Sequence, residues 1–306
     1  MTGRSTARQL RERVTNGPLL VVTGAANALA ARVMEDSGFE AVYVTGAGIA
    51  NTYLGVPDIG LVTVTELVYH VSAIREAVSV PLIVDADTGF GNAVNVMRTV
   101  SLLERAGADA IQIEDQVQPK RCGHFDDKHV ASVDEMVQRV RAAVDARRDD
   151  DTMIIARTDA RATEGFEQSV ERCLRYVEAG ADLTFLEAPE SLAEMLSLPE
   201  RIPCPQVINL VEGGKTPMVS LDQLGDFRIA LFANLALQAS VRGMQRALMR
   251  LRETGTMPES DEYLTPWAER QRLVNKSHFD ELERRYAALA GRSTAGEREV
   301  IADERG

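Results

Sequence analysis

Short apolar runs rich in Val and Ile alternate along the chain with longer stretches in which apolar positions recur every three or four residues. The runs are Leu19–Thr23, Ala41–Thr45, Leu82–Asp85, Ala110–Ile113, Met153–Ala156, Leu183–Leu186, Gln206–Asn209 and Ile229–Phe232. Between most of them lie helix patterns at Ala26–Ser37, Val64–Ala77, Ala93–Ala106, Val133–Ala146, Glu167–Ala179 and Leu192–Ser197, and Leu235–Glu253 follows the last. Leu221–Leu224 carries only a short pattern. Runs that are apolar throughout suit strands buried on both faces, as in a parallel sheet. Gly38, Gly107 and Gly180 each close a helix pattern shortly before a strand. Glu104–Asp109 and Val177–Asp182 both end in Ala-Gly-Ala-Asp, one helix-to-strand turn used twice.

Eight strand patterns separated by helix patterns predict an α/β fold, a closed (β/α)8 TIM barrel, and not an open sheet. No GxGxxG follows the first strand, which argues against a dinucleotide-binding fold. Residues 1–290 are read as one barrel domain that includes further C-terminal helices, and 291–306 as a polar tail.

Composition narrows the function classes. The chain has 306 residues, 45% hydrophobic and 26% charged, with 34 basic and 46 acidic residues for a net charge of −12. That balance argues against nonspecific binding to nucleic acid or to anionic membranes. No apolar run is long enough for a membrane span, and no secretory signal is expected in the polar, basic stretch 1–16. Three scattered cysteines, Cys122, Cys173 and Cys204, suit a reducing cytoplasm. Cys173 and Cys204 read as packing residues, and His70, His129 and His278 have no partner at a recognisable spacing.

In a barrel the active site lies where the strands end. Successive runs end in Asp85 and Asp87, in Glu114 and Asp115, in Arg157, in Glu187 and in Asn209. Asp85 and Asp87, two apart, would share one face of a strand. With Glu114 they form an oxygen-rich set suited to Mg2+ or Mn2+, although either aspartate could instead cap the next helix. Arg157 is a candidate fork for a carboxylate or phosphate, or a buried ion pair with Glu187 or Asp87. Gly46 and Gly48 could let backbone N–H groups approach an anion, or merely form a tight turn. Asn209 could bond a substrate oxygen or finish a polar layer. Residues 113–124 end in Lys120, Arg121, Cys122, Gly123 and His124. A thiol beside two cations and an imidazole is one whose pKa is expected to fall, which suits a proton donor or nucleophile.

These residues together resemble the isocitrate lyase/phosphoenolpyruvate mutase superfamily over about residues 10–255. The resemblance rests on Thr45-Gly46-Ala47-Gly48, Pro57-Asp58, Asp85–Gly91, Glu114-Asp115-Gln116, Lys120–His124, Ala156–Ala160 and Glu187. It implies a (β/α)8 barrel, Mg2+ with Mn2+ as a substitute, a small carboxylate substrate and a homotetramer with exchanged C-terminal helices. It also implies roles. Asp85, Asp87 and Glu114 would hold the metal, with Asp58 near its waters. Thr45, Gly46, Ala47 and Arg157 would grip the carboxylate of a pyruvate-like moiety, and Glu187 and Asn209 would complete the pocket. Cys122 would be the acid–base residue, supported by Lys120 and His124, and Tyr43 would receive the hydroxyl proton. The implied reaction cleaves a 2-hydroxy di- or tricarboxylate, of the 2-methylisocitrate or 2,3-dimethylmalate type, to a 2-oxo acid such as pyruvate. The alternative on the same barrel is phosphonate chemistry, as in carboxyphosphonoenolpyruvate phosphonomutase, or oxaloacetate processing. One departure concerns the pocket wall: relatives carry an aromatic-proline pair after strand eight, where this chain reads Phe232-Ala233-Asn234.

Overall fold

The computed structural model describes residues 5–121, 129–257 and 262–287. Cys122, His124 and the tail read at 291–306 lie outside them. The eight runs form eight parallel strands: β1 (Leu20–Ala25), β2 (Val42–Val44), β3 (Leu82–Asp85), β4 (Ala110–Glu114), β5 (Met153–Thr158), β6 (Leu183–Leu186), β7 (Gln206–Asn209) and β8 (Ile229–Phe232). They close in sequence order, with β8 pairing back onto β1 at Leu20 and Ile229. The predicted barrel is therefore the observed fold.

The helices are α1 (Thr6–Asn16), α2 (Ala28–Asp36), a short α3 (Gly46–Ile49), α4 (Val64–Ala77), α5 (Ala93–Ala106), α6 (Val133–Ala146), α7 (Phe166–Glu178), α8 (Leu192–Arg201), α9 (Leu235–Thr254) and α10 (Trp267–Leu273). Their starts follow local chemistry. Thr63 and Glu66 form a reciprocal capping box ahead of α4, and Asn92 and Asn95 do the same at α5. At the other end of α5, Gly107 sits at φ 101°, and a Cβ there would strike the Arg75 side chain at 2.4 Å. Only glycine meets both demands. The pattern at 221–224 is one short helical turn, Leu221–Gln223.

Alternation along the strands divides the core in two. Val22, Tyr43, Ile83, Ile155, Phe185, Val207 and Leu231 fill the barrel interior. Val42, Val84, Ile111, Ile113 and Ile154 face outward against the helices. Helix α1 was not expected from the polar, basic sequence of residues 1–16. Ser5 caps it, and its Leu10 and Val14, one turn apart, are 1% exposed and join the interior cluster. The capping serine and two apolar residues at that spacing are its local signs.

The chain divides within α9, after Arg242, into a barrel unit and a second, helical unit. In the second unit Arg246 pairs with Glu262 at 3.5 Å and lies over the Tyr263 ring. Residues 276–287 there form a further helix. No helix among the described residues is long and apolar enough to cross a membrane.

Candidate active site

The strand ends of the barrel unit surround one polar cavity. Tyr43 and Thr45 reach it from β2 and its end, Asp85 from β3, Glu114 from β4 and Arg157 from β5. Glu187 follows β6, and Asn209 ends β7. Ala47 enters from the first turn of α3, and Asp58 and Lys120 from loops. Ten of the sequence-predicted residues therefore meet in one place. Gly46 and Asp87 lie just behind the cavity wall: a Cβ on Gly46 would stand 3.2 Å from Asp87 Oδ1 and 3.6 Å from Asp85 Oδ2.

The sheet period that places Asp85 does not reach Asp87. Strand β3 stops at Asp85, and Asp87 has φ 48°, in the left-handed region. That turn, and not strand alternation, brings the two carboxylates together. The paired acids at the end of β4 separate for the opposite reason. Glu114 faces the cavity, while Asp115 points out of the barrel. There Asp115 accepts from Thr158 Oγ1 at 2.6 Å, Tyr176 OH at 2.8 Å and the Asp159 N–H at 2.9 Å, with Arg172 at 3.3 Å. Asp115 is thus a buried brace for the β4 and β5 ends.

Arg157 is held as firmly. Its Nε and Nη2 donate to the two oxygens of Asp159 at 2.9 and 3.1 Å. Nη2 lies 3.1 Å from Glu187, Nε 3.4 Å from Glu114, and the guanidinium stacks over Phe185. Asp87, one expected partner, is not among these; Asp159 takes that place. Two residues beyond Arg157, it falls on the same side of the strand end, a signal the sequence carried. Thr45 caps α3, accepting from the Gly48 N–H at 3.2 Å, and a Cβ on Gly48 would strike Thr45 at 2.5 Å. Gly48 thus serves the tight turn. The N–H groups of Gly46 and Ala47, at the start of α3, have no carbonyl within the helix to bond.

Lys120 crosses between loops. Its ammonium sits 2.6 Å from Asp58 and 2.8 Å from Asp87, with the side chain 3% exposed. The neighbouring anions outweigh burial and hold Lys120 well above the usual lysine range. Burial raises the Glu114 carboxyl, and Arg157 opposes it only in part. Burial, reinforced by Asp85, likewise keeps Tyr43 a phenol.

The site is short of positive charge. Asp58, Asp85, Asp87, Glu114, Asp159 and Glu187 stand against Lys120, Arg121 and Arg157. Among the described residues no three acidic, imidazole or thiol groups form a ready-made metal-ligand cluster. Yet the donors are all hard oxygens, Asp85 and Asp87 converge on Gly46, and Glu114 Oε1 is buried with no hydrogen bond among the described residues. That set fits a cation such as Mg2+ that keeps most of its waters and touches few carboxylates directly.

Without such a cation the charge excess should show in stability. Asp87 is pushed up to about 6, mainly by burial, with Lys120 opposing. A raised carboxyl favours the folded state fully below its unfolded pKa, and that contribution is lost as pH rises through about 6. EDTA-treated protein is therefore expected to melt at lower temperature at pH 8 than at pH 5, and Asp87→Asn to flatten the profile. An identical slope in that variant would assign the dependence elsewhere.

Comparison with known proteins places this geometry. Residues 10–252 match the family model described as phosphoenolpyruvate phosphomutase. The chain is 43% identical over 286 residues to 2,3-dimethylmalate lyase of Eubacterium barkeri, covering 92% of this chain and 99% of the relative. It is 47% identical over 252 residues to 2-methylisocitrate lyase of Aeropyrum pernix, covering 82% and 81%. A crystal structure of phosphonopyruvate hydrolase with oxalate and Mg2+ superposes with a TM-score of 0.84 at 31% identity, covering 93% of this chain and 100% of the other.

Proposed function

The chain belongs to the phosphoenolpyruvate mutase/isocitrate lyase superfamily, as an oxo-acid lyase of the 2-methylisocitrate or 2,3-dimethylmalate lyase-like kind, and on that premise we propose how it works and on what. Its substrate is a 2-hydroxy di- or tricarboxylate with an alkylmalate or alkylisocitrate skeleton, cleaved between C2 and C3 to a 2-oxo acid and a second carboxylate. The observation that carries this reading is a cavity in which an excess of carboxylates surrounds the braced Arg157.

Asp85, Asp87 and Glu114 would hold Mg2+ or Mn2+, with Asp58 beside them. When bound, that ion would supply Lewis-acid stabilisation of the negative charge that develops on the substrate oxygen. Arg157 and the N–H groups of Gly46 and Ala47, with Thr45 beside them, bind the carboxylate of the part that becomes the 2-oxo acid. Glu187 and Asn209 complete the site around the substrate. Tyr43 would take the hydroxyl proton as its phenolate, a form that the cation's charge would favour against the burial that opposes it. The C2–C3 bond breaks, the oxygen lone pair becomes the new C=O, and the C–C electron pair moves to C3 and onto its carboxylate. Cys122 delivers the proton that quenches this carbanion, with Lys120 and His124 as its neighbours. The enzyme is cytoplasmic and assembles as a homotetramer through its C-terminal helices. Supporting the assembly, Leu235, Val241, Met244, Leu248 and Met249 of α9 are exposed.

The test is turnover. Purified protein with Mg2+ and 2-methylisocitrate, 2,3-dimethylmalate, isocitrate or oxaloacetate is expected to release pyruvate or glyoxylate in an EDTA-sensitive manner. Silence on all four, in protein that still binds oxalate with Mg2+, would turn the assignment to phosphonate chemistry.

A further inference from the structure

The cavity wall opposite the acids carries two amides beside the apolar Leu231 and Ala233. In a closed eight-stranded barrel, strands four places apart face each other, so β7 and β8 lie across from β3 and β4. Strands β3 and β4 supply Asp85 and Glu114; β7 ends in Asn209, and Ala233 and Asn234 follow β8. Asn209 is 6% exposed, and its Oδ1 has no hydrogen bond among the described residues.

Asn234 directly precedes α9. Its backbone carbonyl takes the first helical bond, from the Gln238 N–H at 2.9 Å. An asparagine there ordinarily turns its side chain back onto the helix N–H groups. Asn27 does so ahead of α2, and Asn92 ahead of α5. The Asn234 side chain makes no hydrogen bond among the described residues and lines the cavity instead. Two amides thus face one site without partners, and one of them is more than nine-tenths buried. Buried polar groups in folded proteins nearly always have partners, so a ligand is the natural one for Asn209, and the partly exposed Asn234 stands at the same wall.

We propose that Asn234, with Asn209, reads a hydroxyl on the part of the substrate that leaves as the carbanion. The inference rests on the lyase reading above. A ligand held at the acid wall extends toward the amide wall across the barrel. A hydroxyl both donates and accepts, and so does an amide. A methyl group of the same size would leave both amides unpaired, whereas an apolar wall could not reject the hydroxyl. Among 2-alkylmalate skeletons the chain is therefore expected to prefer one that carries a hydroxyl, and not a methyl, at C3.

Two acids isolate that difference. 2,3-Dimethylmalate and 2-methyltartrate differ only in methyl against hydroxyl at C3. Cleavage gives pyruvate from both, with propionate from the first and glycolate from the second. The wild type is expected to favour 2-methyltartrate in kcat/KM by at least about tenfold, and Asn234→Ala to bring the ratio close to one. A folding defect would lower both rates alike and leave the ratio unmoved. A wild-type ratio of one or below, or an unchanged ratio in Asn234→Ala, overturns the proposal. Should neither acid release pyruvate, the four-acid panel above decides the lyase reading, and calorimetric Kd values for the same two acids with Mg2+ decide the amide wall separately. Tighter binding of 2-methyltartrate to the wild type but not to Asn234→Ala supports it. Equal binding, or none, overturns it.

Discussion

Replacing Cys122 by Ala is expected to lower kcat for carbon–carbon cleavage by about 10³-fold, the scale on which a positioned acid–base group contributes. The proposed reaction leaves a carbanion on C3, and the proton must come from a group held beside it. In sequence the thiol adjoins Lys120 and Arg121 and lies two residues from His124. Lys120 is itself fixed, buried against Asp58 and Asp87, so the segment leading to Cys122 is tied to the acid cluster. Oxalate binding with Mg2+ should be nearly unchanged in Cys122→Ala, because the acids and Arg157 remain. Loss of turnover with binding retained identifies a proton donor. Wild-type turnover in this variant would remove Cys122 from the mechanism.

Arg157→Ala is expected to damage fold and site together. Arg157 is the cation among Asp159, Glu187 and Glu114, all of them 2% exposed or less. Removing one partner of a buried ionic cluster costs about 3–5 kcal/mol, since the remaining charges have no water to replace it. Denaturant titration should show that loss, and oxalate affinity should fall with it. Arg157→Lys separates the two effects. It keeps the charge near the acids but cannot form the two-toothed contact with Asp159. Most of the stability should return in Arg157→Lys while oxalate binding stays weak. Full recovery of binding by lysine would mean that only charge, and not the fork, matters to the carboxylate.

Much of this site was legible in the sequence because its residues follow strands. A run such as Leu82–Asp85 announces a buried strand, and in a barrel the residue that ends it faces the common rim. Asp85, Glu114, Arg157, Glu187 and Asn209 were found in that way, and they converge. Where local backbone departs from the strand, the same reasoning fails. Asp87 reaches the acid cluster through a left-handed turn that no periodicity announces. Asp115, beside Glu114, turns outward to Arg172 and Tyr176, which lie far along the chain. Arg121 lines the cavity from a position where charge alone suggested only its effect on Cys122.

The sequence by itself determined the barrel, its strand count and order, and the residues at its strand ends. Those properties depend on the spacing of apolar residues within each segment, and burial of continuous apolar strands leaves few arrangements. Only the tertiary structure decided which charges neutralise which. Lys120 meets Asp58 across 62 residues, Arg172 meets Asp115 across 57, and α1 fills the barrel end with Leu10 and Val14. These pairings depend on where barrel closure brings separate loops. In a low-dielectric interior each buried charge must then find its partner among whatever closure has placed nearby.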